Sequence, residues 1–338
     1  MTEEKPFFLT KNSGLRFAGP EDDLLHPEKN ALVSGDTVTE TQFFGFSIPE
    51  AQIHAMCYLW HHPNLGVVTG GVWAWKGIKR NAVHSELIDI RTFMNDSPLK
   101  KDLHHFVLDN SYSVRIIEPL KTFHLKYSDA AREHQLDLTI EAVSPAVLFA
   151  DGNHLEQAMR VTGKAKIRGE SFDVDCYTVR DRSWGKSRPE TTMTTPPMSW
   201  ATAVFNDNFS LNCNVLDQAD QNKELAGSSF DVPVERSLLG GWVWKDGEIA
   251  EISSARKYVQ RAPESYIPLR VELGLIDTLG RTFELTGDLV ASCPWETWAN
   301  VNMSISLMKW RCGELEAYGD CQEAFWSDYY NFRDKAKR

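Results

Sequence analysis

At 338 residues, the chain is longer than one hydrophobic core usually supports, so two domains are expected. A formal charge of −11 and a pI near 5.4 argue against a protein that neutralises nucleic-acid phosphates or an anionic membrane surface, and favour a small neutral ligand. The amino-terminal stretch is acidic where a secretory leader needs bases, and no segment reaches transmembrane length, so a cytoplasmic protein without membrane insertion is expected.

Taken in chain order, a short helix is expected around Pro49–Met56, before Tyr58-Leu59-Trp60-His61-His62-Pro63. Gly70-Gly71-Val72-Trp73-Ala74-Trp75-Lys76-Gly77 follows. Period two places the two indoles on one face of a strand, where they serve as core anchors or as a cavity wall. Phe123, Leu125 and Tyr127, then Leu136, Leu138 and Ile140, alternate with polar residues and read as half-buried strands. Asp151-Gly152-Asn153 closes an apolar run and marks a boundary, giving domains at 1–152 and 153–338, with Leu155–Gly169 opening the second.

A strand is expected over Ser171–Val179, which puts Asp181 at its end, on the face shared by Tyr177 and Val179. Further alternation covers Phe209 to Val215, Leu269 to Leu275 and Val301 to Leu307, and the tail Cys321–Phe332 reads as helix. Gly240-Gly241-Trp242-Val243-Trp244-Lys245 repeats the earlier tryptophan string, and Thr282-Phe283-Glu284-Leu285 repeats Thr122-Phe123-His124-Leu125 in the same order, which suggests duplication. The pattern indicates an all-β chain of barrels or sandwiches with few short helices.

The six cysteines are scattered without a CxxC, so reduced, packed thiols are expected. All ten histidines lie between His26 and His154. The doublets His61-His62 and His104-His105 point to opposite strand faces and make no simple metal clip, so no metal site is assigned. His62, just before Pro63-Asn64, is the preferred base or hydrogen-bond partner. Dinucleotide, P-loop, GxSxG and HExxH signatures are absent.

The string Asp181-Arg182-Ser183-Trp184-Gly185-Lys186-Ser187-Arg188 resembles the Asp-x-x-Trp-Gly signature of the hydroxyneurosporene synthase and AttH-like group, which includes carotenoid 1,2-hydratases and kievitone hydratase. Leu155-Glu156-Gln157 and the Gly-Gly-x-Trp-x-Trp stretch extend the resemblance over most of the chain. Arg182 and Ser183 stand where the named hydratases tend to carry His or Gln.

The resemblance implies two lipocalin-like antiparallel β-barrels in tandem. It also implies a hydratase, dehydratase or double-bond isomerase that handles a hydrophobic terpenoid, steroid-like or aromatic molecule without metal or organic cofactor. Such chemistry needs an acid held beside an alkene or alcohol, and aromatic faces to stabilise the carbocation. Asp181 is the candidate acid, with His62 and Arg188 as the other catalytic candidates. Trp73, Trp75, Trp184, Tyr177, His61, Trp242 and Trp244 are the candidate substrate-binding residues. In the competing structural role, Asp181 pairs with Arg188 above Trp184 and locks the domain junction. A non-catalytic carrier of the same kind of ligand is the alternative function, and a module with filled interiors the third.

Overall fold

The computed structural model describes residues 14–33, 35, 38–99, 102–187, 194–298 and 300–336, and most of these residues lie in antiparallel β-strands. Twelve strands form one sheet: β1 Arg16–Phe17, β2 Val38–Ile48, β3 Ile53–His62, β4 Val67–Lys76, β5 Leu87–Asn95, β6 His105–Val107, β7 Ser113–Glu118, β8 Thr122–Asp129, β9 His134–Ala142, β10 Val147–Leu148, β11 His154–Ile167 and β12 Glu170–Ser187. The main path runs β5-β4-β3-β2-β12-β11-β9-β8-β7-β6 and stays open at both ends, a curled half-barrel. Eight further strands close a barrel in sequence order: β13 Met198–Asn206, β14 Phe209–Leu216, β15 Leu238–Lys245, β16 Glu248–Arg261, β17 Pro268–Asp277, β18 Thr282–Trp298, β19 Val301–Cys312 and β20 Leu315–Trp326. The all-β class with few short helices is as expected. The halves differ in closure.

Alternation explains the half-barrel core. Phe44, Phe46 and Ile48 of β2, Ala55, Cys57 and Leu59 of β3, Val72 and Ala74 of β4, and Met159 and Val161 of β11 pack on one side of the sheet. The barrel interior is built the same way from Leu211, Cys213, Val243, Leu273, Leu285 and Trp310. Cys312 is half-buried, and the other five cysteines are buried free thiols.

The chain divides into two compact units, one of which holds Gly14–Lys76 and everything from Ser85 to the end of β12. The turn at Asp151-Gly152-Asn153 therefore lies inside this unit, between β10 and β11, because β11 pairs with both β9 and β12. The second unit holds the barrel together with Gly77–His84, a detour between β4 and β5. Here Lys79 N–H donates to Ser292 O at 2.8 Å and Ser292 N–H to Gly77 O at 3.1 Å.

Three local expectations are corrected. Pro49–Ala51 makes only one 3-10 turn, which Gln52 ends at φ 55 before β3 begins. In the tail, β20 runs through Trp326 because it pairs with β19 along its whole length, and helix α3 is confined to Ser327–Ala336. β12 does not stop at Val179: it continues to Ser187 because Asp181, Arg182 and Ser183 pair with Phe43, Gln42 and Thr41 of β2. Asp181 is therefore in mid-strand, not at a strand end. Helices α1 Pro27–Ala31 and α2 Val234–Ser237 are short, and no helix among the described residues is long and apolar enough to cross a membrane.

Candidate functional site

β12 lies between β2 and β11, and its alternation sorts the Asp181 signature onto two faces of the half-barrel. Arg180 and Arg182 point to the core side. Both are fully buried, and they pair with Asp23 at 2.7 Å and Glu40 at 2.6 Å respectively. Arg180 also donates to Gln157 Oε1 at 2.9 Å, and Arg182 to the carbonyls of Asp22 and Leu24, each at 2.9 Å. The two arginines thus bolt the segment before β2 onto the sheet.

Trp184 belongs to this side as well. Its ring stacks on His26 with centroids 3.8 Å apart and planes 1° from parallel. Gly185 follows at φ 58, where an added Cβ would stand 3.3 Å from Lys29 O, so the Trp-Gly pair reflects a tight approach by α1. His26 Nδ1 lies 2.9 Å from Glu40 Oε1 and Nε2 lies 3.6 Å from Asp22 Oδ1. Burial opposes the imidazolium, but these two carboxylates outweigh it and raise the His26 pKa. Burial likewise opposes ionisation of Glu40, and His26 and Arg182 reverse the balance and hold its carboxyl below the usual range.

Asp181 faces the other way. One row of paired residues across the sheet reads Val147, Glu156, Asp181, Phe43, Tyr58, Gly71 and Ile90, so their side chains share the second face. Asp181 is half-buried and Glu156 fully buried. His154 Nε2 lies 3.1 Å from Glu156 Oε1, and in the next row the hydroxyls of Thr41 and Ser183 are 2.7 Å apart. Beside this polar group stands an aromatic one: Phe43 and Tyr58 have centroids 6.0 Å apart, and Tyr58 and Trp60 4.6 Å.

Trp73 and Trp75 are on this second face, fully buried, with centroids 4.4 Å apart. Trp73 donates to Ser85 Oγ at 2.6 Å, while Trp75 Nε1 has no partner among the described residues. Of the two sequence readings of the pair, neither indole joins the apolar core, which takes Val72 and Ala74 instead. Gly71 precedes them at φ 145 because a Cβ there would meet Asp89 O at 1.9 Å. Gly240 at φ 155 holds the same place before Trp242 and Trp244.

The structure therefore brings Asp181, Tyr177, Trp73, Trp75 and His62 onto one face of the half-barrel. His62 sits at the end of β3, and burial, then the charge of His61, lower its pKa. His61 and Trp184 lie on the core side, His61 with Nε2 3.3 Å from Asp96 Oδ2. Trp242 and Trp244 are in the barrel unit, turned away from its core; Trp244 donates to Asp207 O at 3.1 Å. Arg188 falls outside the described residues, and with it the expected pair with Asp181. Sequence reading missed Glu156 and His154 as companions of Asp181. Their signal is the i, i+2 spacing on a strand paired to the Asp181 strand.

No curated protein matches the sequence. Among solved structures, an AttH-like protein of Nitrosomonas europaea is similar with TM-score 0.51 at 11% identity, over 89% of this chain and 96% of that one. Kievitone hydratase of Nectria haematococca has TM-score 0.51 at 8% identity, over 90% and 93%. CghA with Sch210972 has TM-score 0.57 at 10% identity, over 87% and 89%. At such identities the likeness is one of fold, and it agrees with the group that the Asp181 signature resembles. Residues 19–327 match a sequence-family model along almost the whole chain, and the protein accordingly belongs to the family described as Domain of unknown function (DUF7064).

Proposed function

We propose that the protein is a lyase or isomerase that hydrates, dehydrates or moves a double bond in a hydrophobic terpenoid, steroid-like or aromatic molecule by acid-base chemistry. The observation that carries this reading is the placement of Asp181 on the second face. It stands between a buried carboxylate, Glu156, and the aromatic group of Phe43, Tyr58 and Trp60, while Arg180 and Arg182 are turned to the opposite side. Kievitone hydratase, a protein of similar fold, is named for a reaction of this class, which supports the reading.

In this reading Asp181 gives a proton to the alkene or hydroxyl. Glu156 and His154 form a short path by which the proton is replaced, His154 being the more exposed end. The neighbouring rings face the cation that develops. Trp73 and Trp75 extend the apolar wall.

The test starts with native mass spectrometry of the purified protein to identify a co-purified hydrophobic ligand, followed by turnover assays on that compound. Asp181→Asn is expected to lose about 10²–10⁴-fold in kcat, the usual worth of a general acid. Glu156→Gln is expected to lose less and to shift the pH profile. Equal turnover by wild type and Asp181→Asn removes Asp181 as the acid; an unchanged ligand in both makes the protein a carrier.

A further inference from the structure

The barrel holds a pocket that the proposed reaction does not use. It encloses about 210 Å³ at one end of the barrel, with Asp217, Gln221, Asn222, Lys257, Arg261 and Arg333 in its lining. This is small beside the roughly 300–1,000 Å³ of pockets for drug-sized molecules. It suits a compact ion or acid.

The floor is a spent network. Lys257 is fully buried, and its Nζ reaches Asp217 Oδ1 at 2.7 Å, Ser199 Oγ at 2.9 Å and Pro197 O at 3.2 Å. Arg261 makes two bonds to Glu323, both at 2.7 Å, and two to Asp217, at 2.7 and 2.8 Å. Burial alone would raise the Asp217 pKa, but Arg261 and Lys257 hold the carboxyl far below the usual range. Both carboxylates are thus occupied by cations, and Asn222 Nδ2 also leans on Asp217 at 3.4 Å.

What remains for the cavity is an excess of donors. Arg333 places its guanidinium over Tyr266, 5.4 Å from the ring centroid. It uses Nε on Glu224 at 2.7 Å and Nη1 on the Tyr329 hydroxyl at 3.3 Å, which leaves Nη2 unused among the described residues. Glu224 is half exposed, so it is a weak and displaceable partner. Arg261 keeps one N–H on Nη1 beyond its four bonds. Lys257, Arg261 and Arg333 balance Asp217, Glu323 and Glu224 in charge, so what the pocket offers a ligand is the unused N–H groups of Arg261 and Arg333.

We propose that this barrel-end pocket is a binding site for a small oxyanion, a carboxylate- or phosphate-bearing molecule held by Arg333 and Arg261. Arg333 can take such oxygens in bidentate fashion through Nε and Nη2 once Glu224 gives way, and Arg261 adds its one remaining N–H. Glu224 is the built-in competitor for Arg333.

The test uses the full chain, with succinate and inorganic phosphate as separate probes and chloride at matched ionic strength as control, read by thermal shift and isothermal titration calorimetry. Saturable binding of either probe is expected; the preferred probe tells which head group the site takes. Arg333→Gln should weaken that binding by about tenfold or more, the worth of a charge-assisted hydrogen bond. Glu224→Gln should strengthen it. The proposal is overturned if neither probe exceeds the chloride control, or if Arg333→Gln binds as wild type while Glu224→Gln also leaves affinity unchanged.

Discussion

The half-barrel and the closed barrel each hold a cluster of two basic and two acidic side chains, and they differ in how well those charges are sealed. In the half-barrel, Arg180, Arg182, Asp23 and Glu40 are at most 1% exposed, roofed by the segment that carries Asp22, His26 and Asn30. In the barrel, Lys257 and Glu323 are as deep, but Arg261 is 11% exposed and borders a pocket. The lesson is that similar charge sets serve different ends. A sealed set can only hold the chain together, whereas a set that meets solvent can also meet a ligand.

The sharpest way to break this comparison is Arg182→Met. It takes the buried arginine from Glu40, leaving that carboxylate only His26 and Asn30 in a dry interior, and should cost about 3–5 kcal/mol in chemical denaturation. A loss under about 1 kcal/mol would mean that the roof admits water. Arg261→Met should cost less, about 1–3 kcal/mol, because solvent reaches the Asp217 and Glu323 carboxylates through the pocket. If the two substitutions cost the same, the distinction between sealed and open sets fails.

The smallest expected effect is in pH. Because the folded pKa of His26 is raised, its contribution is fully present below about pH 6.5 and is lost as pH rises through the folded value. The barrel strands contain no histidine, so they contribute none of this decline. Melting curves across this range should slope downward in wild type and flatten in His26→Gln. An unchanged slope in the variant assigns the effect elsewhere.

Much of the fold is legible in the sequence, since period two finds β8, β9, β14 and β17. The tryptophan repeat is matched by Gly71 and Gly240, each in a positive-φ conformation before its indoles. What cannot be read is pairing over long distances. Arg180 and Asp23 are 157 residues apart, and nothing local announces that one needs the other. The same limit placed the domain boundary at residue 152 and ended the strand of Asp181 too early, because β2 supplies the partners that extend β12. It also set Trp184 beside Asp181, although they lie on opposite faces. Glu156 was visible as a residue, but its role depends on the register that sets it across from Asp181.

The detour at Gly77–His84 has a consequence for biogenesis. Gly77 and Lys79 hydrogen-bond with Ser292, which the ribosome delivers only after most of the barrel has been made. The emerging chain must therefore hold open a loop from its early half until a late strand arrives, a delay during which unpaired backbone is exposed to misassociation. No single cut in the polypeptide yields both units entire, so shortened versions of this protein should be built with that loop kept or replaced deliberately.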